Sequence, residues 1–222
     1  MRLVIFDLDG TLVDSVALIV ETVTAAFEAV GEPIPTEAAI RSISGISAPE
    51  AMGILAPSAD QRRVDELLAS YRREYERRGG GANRQPLFRN ALETLERLRH
   101  RPDTILAVAT GKGHASTTTL LDAHGILDWF HSIETPTHNR GKPDPQMIDV
   151  AIQKAGVDVG RAVMVGDTVH DMHMARAAGV AAIGVAWGYH LPVDLAASGA
   201  DIVIDRFDQL EPAIDRLLGQ DA

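Results

Sequence analysis

The sequence predicts an α/β fold: a doubly wound, parallel, Rossmann-like sheet interrupted by an inserted α-helical domain. Two observations carry this. From about residue 104 onward, short apolar runs at 104–110, 131–135, 162–166, 181–186 and 202–204 alternate with amphipathic segments of helical period, the pattern of a parallel sheet built from strand–helix–strand units. Between residues 15 and 83 every periodic segment is helical, so an insertion separates the first strand from the others. The expected division is a core of residues 1–14 and 84–222 and a helical cap of residues 15–83.

The first element is the apolar run at residues 3–6, which reads as a short buried strand and stops at Asp7-Leu8-Asp9-Gly10-Thr11. Leu18, Ile19, Thr22, Val23, Ala26, Phe27 and Val30 recur at helical spacing. They predict a helix over 16–30, with Asp14 or Ser15 as N-cap and Gly31 as its stop. Helices are expected next over 36–42, 48–55 and 60–78. In the last, Val64, Leu67, Leu68, Tyr71 and Tyr75 form an apolar stripe. Its arginines are interleaved with Asp65, Glu66, Glu74 and Glu76, so the opposite face reads as ion-paired rather than as a nucleic-acid surface. Gly79-Gly80-Gly81-Ala82-Asn83 follows as a linker. Helices over 90–99, 115–124, 145–155, 170–178 and 207–218 complete the alternation, with Asp144 as N-cap and Pro145 as first helical residue of the third.

Composition narrows the function. A formal net charge of −10 argues against nucleic acid or an anionic membrane as partner. The absence of cysteine excludes disulfides, thiolate metal sites and a cysteine nucleophile. Asp7 and Asp9 interrupt the only early apolar run, which argues against a signal peptide. The run at 16–20 is too short to span a bilayer. The expected address is the cytoplasm and the expected state a monomer or homodimer.

Ligands of open α/β sheets gather at the carboxyl ends of the strands, and four such ends carry reactive groups. Asp7 and Asp9 follow the first strand; two carboxylates this close repel unless a cation or a shared proton holds them. Thr110-Gly111 offers a hydroxyl and backbone N–H groups to an anion. Lys142 follows the third strand after a loop, and Asp167 ends the fourth, with Asp171 four residues on. Singly, each has an ordinary reading: a solvated acidic turn, a strand-end threonine, a surface lysine, a helix N-cap with its first-turn acid. Their order along the chain argues for one constellation.

That order, together with Asp7-Leu8-Asp9-Gly10-Thr11-Leu12-Val13-Asp14-Ser15 and Gly166-Asp167-Thr168-Val169-His170-Asp171, resembles the haloacid dehalogenase-like hydrolase superfamily over nearly the whole chain. Within it, the likeness is to the phosphoglycolate phosphatase-like branch with a helical cap. The resemblance implies Asp7 as a nucleophile forming an aspartyl phosphate and Asp9 as general acid and base. It implies Mg²⁺ held by the Asp7 carboxylate, the Asp9 carbonyl and Asp167, and phosphoryl oxygens bound by Thr110, Gly111 and Lys142. Asp171 would orient Lys142 or a metal-bound water. Asp9 separates this chain from relatives whose leaving group needs no proton. The implied activity is hydrolysis of a small phosphorylated metabolite, with 2-phosphoglycolate as candidate. The alternatives are a sugar-phosphate phosphomutase and a non-catalytic binding module. In the cap, Arg41, Ser44 and Gly45 are expected to face the substrate, Arg41 meeting a carboxylate. Ala186-Trp187-Gly188-Tyr189-His190 also resembles that branch, in a structural role away from the chemistry.

Overall fold

The structure, a computed structural model, describes residues 1–79 and 85–219; the expected linker lies outside the described residues beyond Gly79. The chain enters through β1 (Arg2–Phe6) and then runs through four helices, α1 (Val16–Val30), α2 (Glu37–Ser42), α3 (Ala48–Leu55) and α4 (Gln61–Arg77). It returns through α5 (Ala91–Arg99), β2 (Thr104–Ala109), α6 (His114–Ala123), β3 (Ser132–Glu134), α7 (Gln146–Ala155) and β4 (Ala162–Gly166). It ends with α8 (Val169–Ala178), β5 (Ala181–Val185), α9 (Pro192–Ala197), β6 (Ile202–Ile204) and α10 (Leu210–Leu218). The strands form one sheet in the order β3-β2-β1-β4-β5-β6, every pairing parallel. The order reverses at β1, which places the ligand crevice of such a sheet at the carboxyl ends of β1 and its neighbours β2 and β4.

Alternation along β1 explains the layers. Val4 and Phe6 point to one face, where Leu95 and Leu98 of α5 and Ile214 and Leu218 of α10 share their cluster. Leu3 and Ile5 point to the other, with Met147 and Ile148 of α7 and Met172 and Ala175 of α8. Both faces of β1 are thus covered, as a parallel sheet requires. The helices α1–α4 bury a separate cluster around Val23, Phe27, Ile40, Met52 and Leu67. The arginine face of α4 is ion-paired as expected: Arg63 meets Glu32 and Glu66, Arg77 meets Glu74, and Arg78 meets Glu21.

The two chain crossings into and out of this insertion pair with each other. Asp14 N–H donates to the Pro86 carbonyl at 2.8 Å and Phe88 N–H to the Leu12 carbonyl at 2.9 Å. Asn90 then starts α5 in the left-handed region at φ 68°, a conformation asparagine tolerates.

Three local readings are corrected. α7 starts one residue later than expected, with Pro145 rather than Asp144 in the N-cap position, although Asp144 Oδ1 still accepts the Gln146 N–H at 3.0 Å. Thr168 rather than Asp167 caps α8, its hydroxyl accepting from the Asp171 N–H. The closing helix begins as a 3₁₀ turn, Phe207–Gln209. The short α9 has no counterpart in the sequence pattern, because six residues are too few to show a stripe. Among the described residues no helix is long and apolar enough to cross a membrane.

Candidate active site

Asp7 is fixed by the sheet: its backbone N–H continues the ladder to the Val165 carbonyl of β4 at 2.9 Å. The chain then folds back on itself, the Leu8 carbonyl accepting from the N–H groups of Thr11, Leu12 and Val13. The turn brings the Thr11 hydroxyl to Asp167 Oδ1 at 2.8 Å, while the Tyr189 N–H reaches Asp167 Oδ2 at 2.8 Å. Gly10, at φ 84°, lies so close to the Asp167 carboxylate that a Cβ there would overlap it. The first motif and the end of β4 are therefore one packed unit.

Lys142 comes from the loop after β3 with its side chain fully buried. Its Nζ lies 2.7 Å from Asp7 Oδ1 and 2.6 Å from Asp171 Oδ1. The other Asp171 oxygen accepts the Thr168 N–H at 3.0 Å and its hydroxyl at 2.7 Å, closing a capping box at the start of α8. The helix-cap reading and the lysine-orienting reading of Asp171 thus hold together, one oxygen serving each.

Asp7, Asp167 and Asp171 are all buried and present oxygens within 4.8 Å of one another. Burial raises the Asp7 carboxyl to about 7, against the pull of Lys142. Burial also raises Asp167 well above the ordinary range, and the neighbouring Asp7 and Asp171 add to it. For Lys142 burial works against the charge, yet Asp171 and Asp7 outweigh it and the ammonium is held charged. One lysine facing three acids leaves the cluster short of positive charge, and Asp7 Oδ2 is buried without a hydrogen-bond partner. An unpaired buried carboxylate is costly. An all-oxygen donor set with an orphan carboxylate oxygen fits a hard divalent cation.

Asp9 turns away from that cluster. Its Oδ2 lies 2.9 Å from Nζ of Lys112, and its Oδ1 is buried without a partner. Lys112 also donates to the Tyr75 hydroxyl at 2.7 Å and lies over that ring, 4.9 Å from its centroid. Thr110 is buried at the end of β2, its hydroxyl oxygen accepting the Lys112 N–H at 3.3 Å. Sequence reasoning missed Lys112, although it stands two residues after Thr110 on the same strand-end loop.

A cleft of about 770 Å³ separates the sheet from the insertion. Asp7, Asp9, Thr110, Gly111 and Lys112 line it on the sheet side, and Ile19, Val23, Ser44, Gly45, Met52 and Tyr75 on the insertion side. Gly111 abuts the carbonyls of Gly45 and Ile46 so closely that any side chain would overlap them.

Arg41 departs from expectation. It does not line the cleft. Its Nη2 donates to the carbonyls of Gly188 and Tyr189 at 3.0 and 3.1 Å, and the guanidinium lies 5.8 Å from the Tyr189 ring centroid. These contacts tie α2 to the loop after β5 and leave the guanidinium turned from the substrate space. The segment 186–190 is corrected in the opposite sense. Because β5 neighbours β4, the loop after β5 crosses Asp167; Tyr189 holds that carboxylate and lines the cleft, and Trp187 Nε1–H donates to the Thr11 carbonyl at 3.0 Å.

Comparison with known proteins gives a consistent picture. A family model described as haloacid dehalogenase-like hydrolase matches residues 4–185. The chain is similar to the probable phosphatase IndB of Dickeya dadantii, 36% identical, over 97% of this chain and 94% of the relative. It is also similar to a phosphoglycolate phosphatase of Agrobacterium fabrum, 34% identical, over 96% and 91% of the two chains. Among solved structures, a hydrolase from Pseudomonas syringae superposes with a TM-score of 0.86 at 26% identity, covering 98% of this chain and 99% of that one.

Proposed function

The chain belongs to the haloacid dehalogenase-like hydrolase family, and on that premise we propose that it is a Mg²⁺-dependent phosphatase that hydrolyses a phosphomonoester through an aspartyl phosphate on Asp7. The observation that carries this reading is the state of Asp7: a buried carboxylate at the cleft, one oxygen against Lys142 and the other without a partner.

In the first half-reaction an Asp7 oxygen attacks phosphorus, the bond from phosphorus to the substrate alcohol breaks, and Asp9 gives its proton to the departing alkoxide. In the second, Asp9 takes a proton from the attacking water, the bond from phosphorus to Asp7 breaks, and inorganic phosphate leaves. The free Oδ1 of Asp9 suits this proton traffic, since Lys112 occupies only Oδ2. The Thr110 hydroxyl, whose oxygen accepts the Lys112 N–H, keeps its proton to donate to a phosphoryl oxygen, and the Gly111 N–H serves beside it. Lys142 neutralises charge at Asp7 and is kept in place by Asp171. Mg²⁺, when held by the carboxylates of Asp7 and Asp167 and the Asp9 carbonyl, neutralises the dianionic phosphoryl group.

In this reading residues 15–83 form a cap that closes over a core of residues 1–14 and 84–222, the seating of Gly111 against Gly45 and Ile46 marking the closed contact. The names of the relatives make 2-phosphoglycolate the first substrate to test. The experiment is a phosphomonoester panel with purified protein, with Mg²⁺ and with EDTA. Mg²⁺-dependent phosphate release supports the reading. Isomerisation of a sugar phosphate without phosphate release would assign a mutase instead, and no reaction with any substrate would leave only a binding module.

A further inference from the structure

The insertion side of the cleft is apolar where a small charged substrate would need charge. Ile19, Val23, Ile43, Ile46 and Met52 line it together with the rings of Tyr71 and Tyr75. Of the cleft's cations, Lys112 on the sheet side is paired with Asp9, and Arg72 on the insertion side is exposed, one helical turn from the exposed Glu76 that lines the same cleft. Arg41 is bound to the carbonyls of Gly188 and Tyr189. Under the apolar roof, away from the exposed Arg72 and the hydroxyls of Ser44 and Ser47, a substrate carboxylate would be desolvated without a charged partner, at considerable cost.

Size points the same way. About 770 Å³ lies in the upper part of the range of small-molecule sites. It is several times the volume of a two-carbon phosphate. The apolar rings and branched chains at its roof are the surface that an apolar ligand body would bury.

We infer that the substrate is a phosphomonoester whose alcohol carries an uncharged, predominantly apolar body of about ring size, seated under Ile19, Met52 and Tyr75, and not one whose alcohol ends in a carboxylate. This rests on the phosphatase reading above and narrows it.

The test compares kcat/KM of the Mg²⁺-loaded wild type for benzyl phosphate and for 2-phosphoglycolate, both esters of primary alcohols. Benzyl phosphate is expected to be preferred on the order of tenfold or more, as burial of several apolar carbons implies. Ile19→Arg, at a half-buried cleft position, places a cation at the roof and is expected to shift the ratio at least about tenfold toward 2-phosphoglycolate. Ile19→Ser, uncharged and smaller, is expected to lower the benzyl phosphate value more than the 2-phosphoglycolate value without the gain for 2-phosphoglycolate that Ile19→Arg gives; thermal melts confirm that both variants fold. Equal or better hydrolysis of 2-phosphoglycolate by the wild type, or a ratio unmoved in Ile19→Arg, overturns the inference while leaving the phosphatase reading intact. Absence of phosphate release from every ester overturns both.

Discussion

The ammonium of Lys112 lies 2.9 Å from Oδ2 of Asp9. Its other contact is the hydroxyl of Tyr75 on α4, so one lysine links the acid/base candidate to the insertion. A charge-assisted hydrogen bond of this kind contributes about 1.5–3 kcal/mol. Lys112→Met is accordingly expected to lower kcat by roughly 10- to 100-fold, whereas Tyr75→Phe, which leaves the charge pair in place, changes it less than about threefold. Steady-state kinetics of the two variants decide; a Lys112→Met enzyme with wild-type kcat and a raised KM would show that the lysine serves binding alone.

Asp7 gives a pH-dependent stability of definite sign. Its carboxyl titrates at about 7 in the folded chain, above the value of about 3.9 expected when unfolded. The folded state therefore binds the extra proton between these values. The Asp7 contribution is fully present below about pH 4 and is lost as pH rises through about 7. In EDTA, Asp7→Asn, which lacks this proton, is expected to gain stability relative to wild type on going from pH 5 to pH 8. Urea titrations at the two pH values check the direction, and a constant difference contradicts it.

Gly111 marks where the insertion touches the sheet. Because a Cβ there would overlap the carbonyls of Gly45 and Ile46, Gly111→Ala forces the two surfaces apart, a strain of about 1–3 kcal/mol. The expected result is a fall in kcat/KM of about tenfold with an unchanged far-ultraviolet circular dichroism spectrum. Wild-type activity in this variant would mean that catalysis does not need the close contact.

His190 couples the same two parts to acid. Its Nδ1 accepts the Val169 N–H at 3.0 Å, and its Nε2 pairs with the Arg41 carbonyl at 3.2 Å, which assigns the proton to Nε2. Burial lowers its pKa, and the neighbouring His170 lowers it further, against the Arg41 carbonyl and the more distant Asp171 and Asp194. With the folded value below the ordinary 6.5, this contribution is present above about pH 6.5 and is lost as pH falls below it. His190→Gln is expected to flatten the decline in melting temperature between pH 7 and pH 5; an unchanged slope sinks the assignment.

Much of this site was legible because strand ends announce themselves. Asp7, Thr110 and Asp167 each follow an apolar run directly, and β1, β2 and β4 are neighbours in the sheet, so residues far apart in sequence converge. Lys142 was placed near a strand end from its position, but a loop separates it from β3 and nothing local shows that its side chain is buried. Lys112 and Tyr189 were missed for another reason: their partners, Asp9 and Asp167, lie in other segments, and no period or spacing encodes a contact across the sheet. Arg41 shows the limit most plainly. Ser44 and Gly45 line the cleft, but the direction of the Arg41 guanidinium depends on the carbonyls of Gly188 and Tyr189, which only the folded chain brings near.

The central claim is that Asp7 takes the phosphoryl group. Its most direct test is the rate of phosphate release, with Mg²⁺ and the best phosphomonoester of the panel, by wild type and by Asp7→Asn. The substitution preserves the size of this buried side chain beside Lys142 while removing its carboxylate. Loss of activity by roughly three orders of magnitude or more is predicted, as for removal of a covalent nucleophile. Retention of activity within tenfold of wild type would contradict the account.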